Sequence, residues 1–206
     1  MWIKICGITS VHDAQMVERA GVESIGLNFV SHSKRYISVA QAAQISAALG
    51  PFICRVGVFV NATLDEVIST VQEVGLDVVQ LHGDEDDDYA AAVKEVARVI
   101  RALRVRSEED VEIARNQPAD IIDAVLVDGA VPGSGHPFSW QDARGLQDIP
   151  RLILAGGLTS ANVQLGIETL LPYGVDLASG VESSPGVKDA TKVQDFVIAA
   201  RGLTSS

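Results

Sequence analysis

The sequence predicts one (β/α)8 barrel, an α/β fold in a single domain over residues 1–206. Three observations point there. Short apolar runs alternate with amphipathic, helix-period stretches eight times along the chain. The runs lack polar alternation, as expected of parallel strands covered on both faces. The first strand–helix turn, Gly7-Ile8-Thr9-Ser10, lacks the G-x-G-x-x-G of the rival architecture, an open doubly wound sheet. At 206 residues the chain stands near the lower size limit of such barrels, which is about 200. No linker, low-complexity segment or break in composition divides it.

The elements follow in order. A strand over 2–8 leads into a helix over 11–20, which Gly21 should stop. A strand over 24–30 precedes a helix over 39–49, ended near Gly50. The third strand, 53–60, precedes a helix over 64–74. Thr63 and Glu66 give that helix the T-x-x-E pattern of a capping box, and Gly75 closes it. The fourth strand, 78–82, feeds a helix over 86–97. Its acidic run Asp84-Glu85-Asp86-Asp87-Asp88 reads as a solvated first turn that suits the helix dipole, rather than as a metal site. A strand over 99–105 precedes a helix over 108–116, started by Ser107 with three acidic residues behind it. The remaining pairs are strand 124–128 with helix 140–146, strand 151–155 with helix 162–170, and strand 175–179 with helix 190–200.

Composition narrows the function. With 16 Lys+Arg against 27 Asp+Glu, the net charge of −11 repels a phosphate backbone, so nucleic acid is not an expected partner. An anionic ligand has to be held locally, by one Arg or by backbone N–H groups. Cys6 and Cys54 cannot make a disulfide framework or a four-ligand zinc site, and the four histidines show no metal-ligand spacing. No run approaches the roughly 18 apolar residues of a membrane span. The first residues lack the pattern of a signal peptide. A cytoplasmic location is therefore expected, with a monomer as the expected state and a dimer left open.

In a barrel the chemistry sits at the C-terminal ends of the strands. The residues brought there are Cys6, Arg35 in the loop after the second strand, Gln80 and His82, Asp128, Gly156-Gly157, Asp176 and Ser179-Gly180. The glycine turns follow strands seven and eight, where such barrels frequently bind phosphate through backbone N–H groups. They also read simply as tight turns that need positive φ. Cys6 as thiolate base and Asp128 as acid form a possible proton-transfer pair. Alternatively, Cys6 is a small buried apolar residue and Asp128 caps its loop. Arg35 suits a carboxylate bidentately, or is a solvated cation. His82 binds substrate, or is a hydrogen-bonded structural histidine. Cys54, early in its strand, reads as structural.

Lys4-Ile5-Cys6-Gly7-Ile8-Thr9, Val79-Gln80-Leu81-His82-Gly83-Asp84-Glu85, Leu154-Ala155-Gly156-Gly157-Leu158 and Ser179-Gly180-Val181-Glu182-Ser183-Ser184-Pro185-Gly186-Val187-Lys188-Asp189 occur in that order. With Val56-Gly57-Val58-Phe59-Val60-Asn61, they make the chain resemble the phosphoribosylanthranilate isomerase family of tryptophan biosynthesis over essentially its whole length. The resemblance implies a barrel and a cofactor-free Amadori rearrangement of a phosphosugar, with no metal. It places the general base on Cys6, the general acid on Asp128, the anthranilate carboxylate on Arg35, and the phosphate on Gly156, Gly157, Ser179 and Gly180. Gln80, His82 and Asp176 are expected to contact substrate. Three positions depart from the family pattern. Lys34 stands where proline is usual before the Arg, Pro132-Gly133-Ser134-Gly135 replaces Gly-Gly-Thr-Gly, and Ala178 replaces a common Ser. None removes a catalytic group. The rivals are another phosphate-binding barrel enzyme, either a sugar-phosphate isomerase with two Asp catalysts, against which Cys6 argues, or a lyase, and a phosphometabolite-binding barrel without catalysis.

Overall fold

The computed structural model describes residues 1–129 and 144–202. Eight parallel strands close a barrel in chain order: β1 (Trp2–Cys6), β2 (Ser24–Asn28), β3 (Cys54–Phe59), β4 (Val78–Leu81), β5 (Arg98–Arg104), β6 (Ala124–Asp128), β7 (Leu152–Ala155) and β8 (Gly174–Leu177). The last strand pairs back on the first, with Gly174 beside Trp2 and Asp176 beside Lys4. Seven α-helices are present among the described residues: α1 (Val11–Arg19), α2 (Val39–Ala47), α3 (Leu64–Val74), α4 (Asp87–Lys94), α5 (Glu108–Arg115), α6 (Val163–Leu170) and α7 (Ala190–Ala200).

The helix expected over 140–146 differs. Its described part is a 3-10 helix, Arg144–Asp148, and the rest lies outside the described residues. Gly145 weakens an α-helix there. Its carbonyl instead accepts two N–H groups of the Arg115 guanidinium. An unanticipated two-stranded antiparallel hairpin, β9 (Glu182–Ser184) and β10 (Val187–Lys188), joins β8 to α7.

Local chemistry starts the helices. Ser10, Ser38, Thr63, Asp86, Ser107 and Asp189 each accept the backbone N–H three residues on, a cap worth typically ~1 kcal/mol. Thr63–Glu66 and Ser107–Asp110 form reciprocal capping boxes. Gly75 ends α3 at φ +70° and Gly21 follows α1 at φ +84°, where a Cβ would be strained. Gly50 keeps ordinary φ, and its N–H instead donates to Glu18 Oε1. The acidic run caps α4 through Asp86 and pairs Asp87 with Arg101.

Strand alternation sorts the core into two clusters. One packs the outer strand faces (Ile3, Ile5, Leu27, Val79, Val127, Leu154, Val175) against the helices. The other fills the barrel with Val56, Val78, Ile100, Ala102, Ala124, Leu126, Ile153 and Ala155. At the N-terminal end a cavity of 380 Å³ remains, lined by Trp2, Cys54, Val78, Ile100, Ala124 and Ile153 among others. Burial, with Asp77 nearby, pushes the Cys54 thiol up to about 11, which suits a structural cysteine. No helix among the described residues is long and apolar enough to cross a membrane.

Candidate active site

The register carries the expected residues to one mouth. Cys6 ends β1 and pairs with Gly26 on β2. Asp128 ends β6 and pairs with Ala155, an interior residue. Gln80 pairs with the interior Ile100, and His82 follows β4 directly. Gly156-Gly157 follows β7, and Ser179-Gly180 follows β8. Cys6 is half-buried. Gly26 makes room for it: a Cβ there would lie 2.6 Å from Cys6 Sγ.

Below the thiol lies a buried ion pair. Lys4 Nζ donates to Asp176 Oδ2 at 2.9 Å, and Lys4 is fully enclosed. Burial works against the Lys4 charge, but the Asp176 carboxylate and the Cys6 thiolate outweigh it and raise its pKa. Asp176 is thus a counter-ion as well as a candidate contact. Its Oδ1 and Gln80 Oε1 are both buried and accept no hydrogen bond among the described residues. Gln80 Nε2 lies 3.4 Å from His82 Nδ1. Burial lowers the His82 pKa, with Asp128 pulling the other way, so the ring is neutral at pH 7.

Arg35 is not a solvated cation. Its Nε and Nη2 donate to Glu182 Oε1 and Oε2, each at 2.7 Å. Gly7, at φ +73°, lets Arg35 lie across the end of β1; a Cβ there would come within 2.2 Å of Arg35 Cδ. Lys188 Nζ also donates to Glu182 Oε1, and to the carbonyls of Cys6 and Ala178. Burial opposes the Glu182 charge, but hydrogen bonds from Arg35 and Lys188 outweigh it and hold its carboxyl below its usual range. For Lys188, burial outweighs Glu182 and lowers the pKa.

The two glycine turns meet. Gly156 and Gly157 take φ +91° and +63°, conformations that favour glycine. Gly180, in a short 3-10 helix Ser179–Val181, approaches the other turn so closely that a Cβ would lie 2.1 Å from Leu158 O. Asn162 braces the first turn, accepting from Thr159 N and donating to Gly157 O. The loop Pro132-Gly133-Ser134-Gly135 lies outside the described residues.

Sequence reading missed Lys4, Gly26, Glu182, Lys188 and Arg104, which pairs in register with Asp128. A lysine inside the apolar run Ile3-Lys4-Ile5 was the available signal for the first. Glu182 and Lys188 stood within a motif already quoted.

A closed (β/α)8 barrel with a thiol, a carboxylate and paired glycine turns at its C-terminal mouth has the architecture of a barrel enzyme, with reactive side chains where the fold places chemistry. Comparison with known proteins makes the assignment particular. The model of the N-(5'phosphoribosyl)anthranilate (PRA) isomerase family matches residues 3–199. An N-(5'-phosphoribosyl)anthranilate isomerase of Pelobacter propionicus is 42% identical, covering 98% of this chain and 97% of its own. A crystal structure of a phosphoribosyl anthranilate isomerase with reduced 1-(o-carboxyphenylamino)-1-deoxyribulose 5-phosphate superposes with TM-score 0.91 at 37% identity, over 98% of this chain and 100% of that one. A monomeric form made from the dimeric Thermotoga maritima isomerase gives 0.88 at 36%, over 98% and 100%. The chain belongs to the phosphoribosylanthranilate isomerase family.

Proposed function

We propose that this enzyme converts N-(5-phosphoribosyl)anthranilate into 1-(2-carboxyphenylamino)-1-deoxyribulose 5-phosphate, the isomerisation of tryptophan biosynthesis, with Asp128 as general acid and Cys6 as general base. The observation that carries it is the delivery of thiol and carboxylate to one barrel mouth, on β1 and β6, beside the paired glycine turns.

Asp128 in its acid form protonates the furanose ring oxygen. The bond from C1 to that oxygen breaks as the nitrogen lone pair forms the C1=N iminium. The Cys6 thiolate then removes the C2 proton, and the electron pair of that bond flows toward nitrogen to give an enolamine. Loss of the C2 hydroxyl proton and return of a proton to C1 complete the ketone. The iminium acidifies C2–H, so a modest base suffices. Each acid–base group is worth about 10²–10⁴ in rate. Neutral His82, with Gln80 beside it, offers a hydrogen bond to the sugar hydroxyls. Gly156, Gly157, Ser179 and Gly180 offer backbone N–H groups and one hydroxyl to the phosphate, and Arg35 faces the anthranilate carboxylate. Asp176 contributes its Oδ1 acceptor from below.

Loss of anthranilate-type fluorescence from substrate made in situ is the assay. Fast, protein-dependent decay is expected, with Cys6→Ser and Asp128→Asn each slowed at least about a hundredfold while melting as the wild type does. A near-normal rate in either variant overturns that residue's role. Decay at the spontaneous rate with wild-type protein overturns the reaction.

We infer also that two copies of the chain associate through the N-terminal barrel face, the dimer that the sequence left open beside a monomer. Phe52 is 97% exposed, an unusual state for a large apolar side chain. It stands two residues before Cys54, which lines the cavity at that same end. A twofold arrangement through that face would bury each Phe52 against a second copy of the chain. Sedimentation should give twice the chain mass for the wild type and a single chain mass for Phe52→Ser; a monomeric wild type refutes the arrangement.

A further inference from the structure

We propose that Glu182 is a positioning residue for substrate capture, aiming Arg35 at the substrate carboxylate, with Lys188 holding Glu182 in place. The inference rests on the proposed role of Arg35.

A guanidinium carries five N–H donors in a planar fork. Glu182 takes two of them on one edge, Nε and Nη2. The edge formed by Nη1 and the second Nη2 hydrogen keeps its donors, with no acceptor among the described residues. That edge matches a second carboxylate bidentately. A guanidinium clamped along one side therefore points its other side in one fixed direction. Gly7 removes the Cβ that would push the Arg35 stem away.

Glu182 is in turn over-determined. Its Oε1 accepts from Arg35 Nε, from Lys188 Nζ at 2.9 Å and from the Gly186 N–H at 3.2 Å. The Lys188 side chain is fully buried and spends all three donors, on Glu182 Oε1, Cys6 O at 2.7 Å and Ala178 O at 3.2 Å. With no proton donor left over, Lys188 suits a fastener better than an acid. It ties the carboxylate to the end of β1, which carries Cys6, and to the residue before Ser179-Gly180. Two cations share the one Glu182 carboxylate.

Steady-state kinetics of Glu182→Gln and Glu182→Asp test this, with N-(5-phosphoribosyl)anthranilate and with its aniline counterpart, which lacks the carboxylate. For the carboxylate substrate KM should rise about tenfold or more, the size of one charge-assisted hydrogen bond, while kcat stays within about threefold. For the aniline compound the variants should match the wild type. Arg35→Met should show the same selectivity. If Arg35→Met raises KM for the carboxylate substrate and the Glu182 variants do not, the aiming role is wrong and Arg35 keeps its own. Equal damage to both substrates, or loss of kcat alone, reduces Glu182 to a structural part and overturns the proposal. An Arg35→Met variant with unchanged KM overturns the role of Arg35 itself. Should the Gln variant not fold, the Asp variant keeps the charge and withdraws the reach. The Arg35 Nε–H resonance of the wild type gives an independent reading: protection from solvent exchange is expected, and fast exchange refutes the clamp.

Discussion

Replacing Gly26 by Ala should disable the enzyme by displacing Cys6. A Cβ at position 26 would lie 2.6 Å from Cys6 Sγ, 2.9 Å from Cys6 Cα and 3.1 Å from Cys6 Cβ. Relaxed carbon contacts need about 3.5–4.0 Å, so the thiol and the Cys6 backbone both have to retreat, by about 1 Å. A misplacement of about 1 Å can cost about 10²-fold in rate. Overpacking also costs about 1–3 kcal/mol in stability, or about 2–12 °C in Tm at about 2–4 °C per kcal/mol for a chain of this size. Stability loss alone would not separate the two effects, but the barrel supplies its own control. Gly174 meets Trp2 on the neighbouring strand at the opposite end, where a Cβ would lie 2.6 Å from Trp2 Cε3 and 2.9 Å from Trp2 O. Gly174→Ala should therefore lose similar stability and keep its turnover. Fluorescence decay under saturating substrate and thermal unfolding of both variants decide the matter. If Gly26→Ala turns over within about threefold of wild type, or if Gly174→Ala loses activity alike, the placement of Cys6 by Gly26 is not what the barrel mouth depends on.

Two further predictions follow from the buried charges. Lys4→Met leaves Asp176 unpaired in the barrel and should cost about 3–5 kcal/mol, while Lys4→Met with Asp176→Leu should recover most of it; urea unfolding checks both, and an unharmed single variant refutes the ion pair. Glu182 has a folded-state pKa below its ordinary 4.5. Its stabilisation is therefore complete above that unfolded value and is lost as pH falls through the folded one. The stability gap between wild type and Glu182→Gln should hold near neutral pH and shrink below pH 4.5; a gap that does not change with pH contradicts the sign.

The barrel was legible because each strand–helix unit carries its own period and its own start signal. The caps at Thr63 and Ser107 were readable for a simple reason: a side chain and the N–H three residues on are neighbours in any chain that turns there. The mouth was legible only through the fold, since closure of the sheet brings the strand ends that carry Cys6 and Asp128 to one end of the barrel. What stayed hidden depends on distant partners. Lys4 finds Asp176 at a separation of 172 residues, Arg35 finds Glu182 at 147, and Lys188 finds the Cys6 carbonyl at 182. No local pattern encodes such pairs. The β9–β10 hairpin was missed because strands of three and two residues are too short to show a period. The described end of the helix expected over 140–146 is 3-10 rather than α, Gly145 and Pro150 outweighing its amphipathic spacing there.

The charge distribution explains why those long-range pairs matter. A chain of net charge −11 cannot draw a phosphosugar acid inward by its overall field. The cations it places near Cys6 are not free either, for Lys4 is held by Asp176, and Lys188 and Arg35 by Glu182. Bound this way they are less costly to bury than either charge would be alone, and positive charge can stand beside the Cys6 thiol. On the proposed reading, little of that charge is spent on attraction and most on direction. The phosphate then depends on glycine turns whose φ values and close approach at Gly180 leave no room for side chains. The carboxylate depends on the one guanidinium edge that Glu182 leaves open. Recognition so built depends on geometry, and a substitution that preserves charge but shifts that geometry is as damaging as one that removes it.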